Sequence, residues 1–487
     1  MIRAGAPARP RYGLGIAAVL LSVAIGFAVA AAPGLSRNWE LVLLSTAVAS
    51  VPFAVSMVTG RFDVFEPPHL FAVSYLVLFA LRPAYDVSTG LPWFNDYPIA
   101  PGFHVAMEVG IVGAAAFYAG YYSRFGRDFG RHWRVPSPNV SVASVDGFVT
   151  VSAIVTAGLY LAFVGSASAS VQALFAGRSA SRLSSLHNAS GYLYTAPLWV
   201  TSRGVLLLAL TPRWRTYIGM VAFGVILLSE LPSAAGGDRA FVLPAVAAVA
   251  ILWYLRKGTR PRLYQVLLLL GVVFIVGVSA PREYRTVAVR QTSFTGIVEH
   301  DALHPVSAVQ NFLGSNDTAM VDNLSVAAQA LNGGSPPLSY RGGSTYIEDV
   351  TRPVPRAIWS GKPIAAETDM MSQLWPDLYA LNIHFTFSMF AEPYLNFGVL
   401  GVALILFAAG VLWRALYTWF RRAPNNPGVM TLYALSFPYL FVYMRGGFGL
   451  DYYRQAFAVI PVVLALAYAG RKRRQTGVAG TEPLNAT

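Results

Sequence analysis

Cysteine is absent from the 487-residue chain, which therefore has no disulfide bond, no thiol nucleophile and no cysteine ligand for a metal. Charge is also scarce, because Asp, Glu, Lys and Arg make up 12% of the residues, half of the ~25% expected of a soluble domain. Apolar residues make up 55%. This composition excludes disorder, collagen and coiled coil, and it predicts a polytopic membrane protein.

Several signatures of chemistry are missing as well. There is no Walker A loop, which disfavours ATP-driven transport. The seven His residues show neither HExxH nor another ligand spacing, and no Gly-x-Ser-x-Gly nucleophile elbow occurs. We therefore expect no cofactor and no metal site.

Apolar runs of about 20 residues, the length of a membrane-spanning helix, recur along the chain. They predict an all-α fold with about twelve spans, near 13–33, 40–59, 69–82, 103–122, 146–165, 191–210, 216–232, 239–255, 263–280, 387–412, 429–444 and 453–470. The predicted division is 1–281 with spans one to nine, 282–386 as one large extracytoplasmic loop domain, 387–470 with spans ten to twelve, and 471–487 as a basic cytoplasmic tail.

The basic residues predict the orientation. If the N-terminus is cytoplasmic, alternate connections carry 21 of the 36 Lys and Arg residues, as the positive-inside rule requires. Both termini are then cytoplasmic and the large loop lies outside the cell. The net charge of +13 is therefore an orientation signal, and it does not indicate a nucleic-acid partner.

Two turns on the predicted outer face combine Arg with glycines. One is Gly236-Gly237-Asp238-Arg239, which leads into a span, and the other runs from Tyr443 to Gly449 and contains Arg445. Glycines let a backbone approach a ligand closely, and Arg offers a planar fork to phosphate oxygens. The two turns favour a shared anionic ligand, although each is also compatible with an Arg that contacts lipid headgroups.

The large loop contains the densest cluster, between Tyr346 and Lys362-Pro363. Its three prolines predict an irregular backbone that presents Arg352, Arg356 and Lys362 towards phosphates, with Trp359 as a platform for a sugar ring. Candidate general bases follow it, namely Glu367, Asp369, His384 and Glu392. Glu108 and Arg203 fall within predicted spans, where ionisable groups face an interior.

Two motifs carry a family resemblance. The run Pro355-Arg356-x-x-Trp359-x-x-Lys362-Pro363, followed by Ser388-x-x-x-Glu392-x-Tyr394-x-Asn396-Phe397-Gly398-x-x-Gly401, resembles the Wzy-type O-antigen and exopolysaccharide repeat-unit polymerases. The Gly-x-Arg turn at Arg239 is similar to one shared by these polymerases and the O-antigen ligases. The predicted topology agrees, with a GT-C-like arrangement of spans and one large outer loop.

The resemblance implies a metal-independent, inverting glycosyltransferase in the inner or plasma membrane. Its donor would be a polyprenyl-diphosphate-linked oligosaccharide, its acceptor a hydroxyl of another lipid-linked unit, and its partners a flippase and a chain-length regulator. Under this interpretation Arg239 and Arg445 bind the diphosphate, with Arg352, Arg356, Lys362 and Trp359 as loop contributors. Glu392 is the first choice for the base, followed by His384 and Glu348.

Two alternatives remain open at the level of sequence. An O-antigen ligase-like transferase would use the same donor with a different acceptor. A twelve-span secondary transporter would depend on Arg203 and Glu108 instead of the outer arginines, but no inverted repeat is visible in the chain.

Overall fold

The computed structural model describes residues 36–137, 196–235, 239–262, 294–381 except 353, 355 and 357, and 383–479 except 384, with isolated positions at 140–143, 145, 147, 149–151, 154–155, 158 and 265. These residues are mostly helical. In chain order the elements are α1 (Arg37–Thr59), α2 (Pro67–Ser88), β1 (Trp93–Phe94), β2 (Tyr97–Pro98), α3 (Ala100–Tyr122), α4 (Arg124–His132), α5 (Ala196–Leu210), α6 (Tyr217–Ala235), α7 (Arg239–Lys257), α8 (Phe294–Leu303), α9 (Pro305–Leu313), α10 (Met320–Leu331), α11 (Ser344–Thr351), α12 (Ala366–Leu374), α13 (Pro376–Ala380), α14 (Ala391–Arg422), α15 (Pro427–Ser436), α16 (Tyr439–Gly446) and α17 (Gly449–Ala479).

Six stretches of the described chain are helical, long and apolar enough to cross a membrane, which confirms an all-α membrane protein at this level. They are Arg37–Thr59, Pro67–Ser88, Ala100–Tyr122, Ala391–Arg422, Pro427–Gly446 and Asp451–Arg471. Each coincides with a predicted span. The helices α5, α6 and α7 lie at three further predicted spans, but the apolar parts of α5 and α6 are shorter. The spans predicted near 13–33 and 263–280, and most of 146–165, lie outside the described residues, so the total of twelve stays a prediction.

The chain forms two compact units, each assembled from distant segments. Unit 1 contains the described residues up to 128 together with 305–415 and 443–449, and unit 2 contains those of 129–304, 416–442 and 450–479. This division differs from the one predicted from the sequence, in which 282–386 stood alone. The physical reason is visible in unit 1, where α10 packs along α3 and a Cβ at Gly102 would collide with the carbonyl of Ser325.

An aromatic cluster forms the core of unit 1. The rings of Phe71 and Phe117 stack at 3.9 Å between centroids, and Phe79 lies 4.5 Å from Phe390, which directly precedes α14. Gly113 on α3 makes room for this ring, because a Cβ there would lie 2.5 Å from Phe390. Small residues at such crossings let membrane helices approach closely. The start of α14 is thereby fixed against α2 and α3.

A buried ion cluster ties α2 to α10. Arg82 Nε lies 2.9 Å from Asp86 and its Nη2 lies 2.7 Å from Asp322, while Nη1 donates to the carbonyls of Leu313 and Ser315. All three charged side chains are almost fully buried. Burial raises the pKa of Asp322, and Arg82 opposes that shift. The cluster also fixes the segment that leads to Asp317.

One sequence-based expectation about local structure is corrected. The segment from Tyr346 to Pro363 is not irregular throughout, because residues up to Thr351 belong to α11, which ends before the first proline. The helix α17 continues into the predicted tail as far as Ala479.

Candidate functional site

The carboxylate of Glu392 lies in the first turn of α14 and is 3% exposed. Both of its oxygens accept hydrogen bonds. The hydroxyl of Thr345 on α11 donates to Oε1 at 3.0 Å, and the backbone N–H of Phe448 donates to Oε2 at 3.2 Å. A further side-chain hydrogen bond joins Glu392 to Asp349 on α11. The site therefore draws on α11, α14 and the turn between α16 and α17, all in unit 1.

The hydrogen bonds at Glu392 favour its ionised form, with the proton of this carboxyl pair on Asp349. The amide of Asn396 donates to Thr345 Oγ1 at 2.7 Å, so the hydroxyl of Thr345 is free to donate to Glu392. Asn396 itself is oriented by the N–H of Gly343, which donates to its Oδ1 at 2.9 Å. Burial, together with the neighbouring Glu392 charge, raises the pKa of Asp349 to about 8.

Two cations complete the buried cluster around Glu348. Arg352 Nη2 lies 2.6 Å from Glu348 and 3.3 Å from Asp349, and Lys362 Nζ lies 3.6 Å from Glu348. With the proton on Asp349, the charges of Glu348 and Glu392 balance those of the two cations. This neutrality matters because a buried charge is costly unless it is paired.

The cations of the Pro-Arg-x-x-Trp-x-x-Lys-Pro motif donate hydrogen bonds to carbonyl groups of the same loop. Arg356 donates to the carbonyls of Lys362 and Pro363, both at 2.8 Å. The buried Lys362 ammonium donates to the carbonyls of Arg352 and Val354 at 3.3 Å. Trp359 is 39% exposed beside them. Since these cations satisfy loop carbonyls, phosphate binding by Arg356 and Lys362 stays a prediction that would require the loop to rearrange.

The turn from Tyr443 to Gly449 lies directly against the carboxyl pair. Gly447 has φ +86°, and a Cβ there would come within 2.6 Å of the Phe387 carbonyl. A Cβ at Gly449 would collide with the Asp349 carboxylate. The two glycines thus allow the Phe448 N–H to reach Glu392, as the close approach of a glycine-rich backbone requires.

Arg445 lies in the last turn of α16, directly before these glycines, and forms an ion pair with Asp317. Its Nη2 lies 2.5 Å from the Asp317 carboxylate, and its Nε donates to the Asp317 carbonyl at 3.2 Å. Both side chains are partly exposed. Of the arginines predicted to bind a diphosphate, Arg445 is therefore the one that the described structure places partly exposed in the turn next to Glu392.

The other predicted site residues lie away from this cluster or outside the described residues. Arg239 begins α7 in unit 2, but its side chain lies outside the described residues, as do His384 and the turn residues 236–238. Glu108 is half-exposed and lies 3.2 Å from Arg37. Arg203 is buried in unit 2, 5.9 Å from the centre of the Trp199 ring.

Sequence analysis missed Asp349, Thr345 and Asn396 as parts of the site. A signal was present, because positions 345, 348, 349 and 352 are all polar and follow the i, i+3, i+4, i+7 spacing of one helix face. The prolines downstream drew attention to irregular structure instead.

Comparison with family models, curated proteins and solved structures finds no match to this chain. Within the described ranges, no group of three or more His, Asp or Glu side chains is arranged to hold a metal ion.

Proposed function

We propose that this protein is a membrane glycosyltransferase that joins polyprenyl-diphosphate-linked oligosaccharide repeat units into a cell-surface polysaccharide. The reaction takes place on the outer side of the inner or plasma membrane, without a metal. The observation that supports the proposal is the buried pair of Glu392 and Asp349, in which hydrogen bonds favour the ionised form of Glu392 and burial raises the pKa of Asp349 to about 8.

In the proposed reaction Glu392 is the general base. It accepts the proton of the acceptor hydroxyl while that oxygen bonds to the anomeric carbon of the donor. The bond from this carbon to the diphosphate breaks, its electron pair leaves with the diphosphate, and the anomeric configuration inverts. Asp349 keeps its proton and holds Glu392 in position by its hydrogen bond.

The leaving diphosphate needs a positive partner, and Arg445 is placed to provide it. A partly exposed ion pair such as Arg445–Asp317 contributes only about 0–1 kcal/mol, so a doubly charged phosphate can displace the carboxylate. A guanidinium fork also suits bidentate binding of phosphate oxygens. Arg352, which lies 3.3 Å from Asp349, is a second candidate cation for the leaving group.

The test is a polymerisation assay with purified protein and lipid-linked repeat units in bilayer nanodiscs, read as a ladder of products. Glu392→Gln removes the base, and we expect the rate to fall by roughly 10²–10⁴-fold. Asp349→Asn imitates the protonated Asp349, so we expect it to retain most of the activity at neutral pH. Glu367→Gln, an acid of α12 outside the cluster, is the matched control and should behave like the wild type.

Other outcomes distinguish the alternatives. Unchanged substrate with wild-type protein contradicts the proposal, and essential roles for Arg203 and Glu108 would favour a transporter. Transfer of a single unit to an acceptor without a ladder identifies a ligase-like enzyme. A flippase and a chain-length regulator are the proposed partners in the cell, but the assay requires neither.

A further inference from the structure

The helix α11 buries its polar face and exposes its apolar face, the reverse of a helix on the surface of a water-soluble domain. Its polar residues Thr345, Glu348 and Asp349 are buried, whereas Ile347 and Val350 are 50% and 78% exposed. A surface helix in water shows the opposite pattern, with the apolar stripe inward and the charges outward. These exposed apolar side chains therefore raise the question of which medium surrounds α11.

The exposed apolar face continues beyond the helix and onto α14. Ile358 in the following loop is 78% exposed, and Leu400 and Leu404 on α14 are 70% and 62% exposed. Tyr346 connects the two surfaces, because its ring stacks on Phe397 of α14 with 6.3 Å between centroids. Since α14 is long and apolar enough to cross a membrane, we expect its exposed leucines to face lipid, and the Tyr346–Phe397 contact joins α11 to this helix.

Free energy favours lipid over water on this face. Burying a Val or Ile side chain away from water stabilises a protein by about 1.5–3 kcal/mol. Ile347 and Val350 would not contribute this free energy if their face of α11 were in water. The other face of α11 has the complementary property, because its charges are paired and hydrogen-bonded within the protein, as a membrane environment demands. One helix thus satisfies both conditions only if lipid covers its outer face.

We propose that the apolar face of α11 lies within the membrane, with Ile347, Val350 and the neighbouring Ile358 against the acyl chains of the lipids. The occupant of this surface is bulk lipid, as its continuity with Leu400 and Leu404 indicates. This inference concerns the medium around α11 and does not depend on the proposed reaction. It changes the interpretation of the predicted outer loop, since this part of the loop then belongs to the bilayer.

The chain lacks cysteine, so single cysteines can be spin-labelled without removing native thiols. We choose Ile347→Cys, Val350→Cys and Ile358→Cys in the full-length protein in nanodiscs. Power-saturation electron paramagnetic resonance then compares accessibility to oxygen, which concentrates among acyl chains, with accessibility to a nickel chelate, which stays in water. Leu404→Cys is the lipid reference, and Asp377→Cys and Ser307→Cys, at exposed positions on α13 and α9, are the loop references.

We expect the oxygen-to-nickel ratio at the three test positions to match Leu404→Cys and to exceed Asp377→Cys several-fold. A ratio equal to that of Asp377→Cys would show a water-exposed face and overturn the proposal. Low accessibility to both reagents would do the same, because it would mean that another protein or a second copy covers the face. The three positions are measured in separate variants, so that the failure of one to fold leaves the other two. Quenching of a fluorophore at the same cysteines by brominated lipids provides a second measurement.

Discussion

At the scale of the residue, the proton on Asp349 has a consequence for stability. In the folded protein the pKa of Asp349 is raised to about 8, whereas an unfolded chain releases this proton near the ordinary aspartate value of 3.8. Between these values the folded state binds more protons, so the free energy of unfolding falls as the pH rises. We expect Asp349→Asn to remove this component, making the pH dependence between pH 5 and 8 shallower than in the wild type.

The measurement is the midpoint of thermal unfolding of both proteins in nanodiscs from pH 5 to 9. Glu367→Gln serves as the control, because it changes a carboxyl group outside the cluster. Equal slopes for Asp349→Asn and the wild type would contradict the assigned proton.

Single residues also show what the sequence does and does not disclose about the site. Glu392 is predictable, because it lies in a motif near the end of a span. Its partners are harder to predict, since Asp349 and Phe448 are 43 and 56 residues away along the chain. The contact of α11 with α14 brings Asp349 to Glu392, and the turn after α16 brings Phe448, but no local pattern specifies either contact.

At the scale of the element, Gly449 at the start of α17 leaves no room for a side chain beside Asp349. A methyl group there meets the Asp349 carboxylate, so Gly449→Ala must displace this carboxylate, and with it the hydrogen bond to Glu392, or shift the backbone. We expect this variant to lose at least tenfold in polymerisation rate while it still inserts and purifies. Gly361→Ala is the control, because the only neighbour of its added carbon lies 3.9 Å away. Full activity of Gly449→Ala would show that the turn is not part of the site.

The link between α2 and α10 depends on one guanidinium. Replacing Arg82 with Met leaves the carboxylates of Asp86 and Asp322 buried without their cation, and breaking such a pair costs about 3–5 kcal/mol. Arg37→Met removes an exposed ion pair with Glu108, for which we expect about 0–1 kcal/mol. Denaturant titration of both variants in the same detergent measures the difference, and equal losses would argue against a structural role for Arg82.

The helices of span length were predictable as elements because a long apolar run has few other interpretations in this composition. The short helices of the predicted loop were not predicted. Among them α11 carries charges on its buried face, so hydropathy does not identify it.

At the scale of the whole molecule, the predicted loop is part of a larger unit. Ten residues of α10 are buried, and the helix packs along α3, a membrane-spanning helix some 200 residues earlier in the chain. We expect a fragment of residues 282–386 to lack a cooperative unfolding transition, because it leaves these faces without their partners. Circular dichroism during heating tests this, with the full-length protein as the reference. A sharp transition of the isolated fragment would restore the independent loop domain predicted from the sequence.

Composition predicted the class of the molecule, because a chain with so few charges has too little polar surface for a soluble fold. The assembly of its units could not be predicted in the same way. Unit 1 combines segments separated by almost 200 residues. Its contacts, such as Arg82 with Asp322, join residues whose partners cannot be identified from the sequence around them.

The carboxyl site combines α11, α14 and the turn between α16 and α17, and synthesis reaches that turn last. Translation at roughly 5–20 residues per second delivers Phe448 several seconds after Glu392, so its N–H is the last donor to reach that carboxylate. Until then Oε2 of Glu392 lacks this donor. A chain that stops short of the turn at Gly447 therefore retains every residue of α11 but not the donor that completes the site.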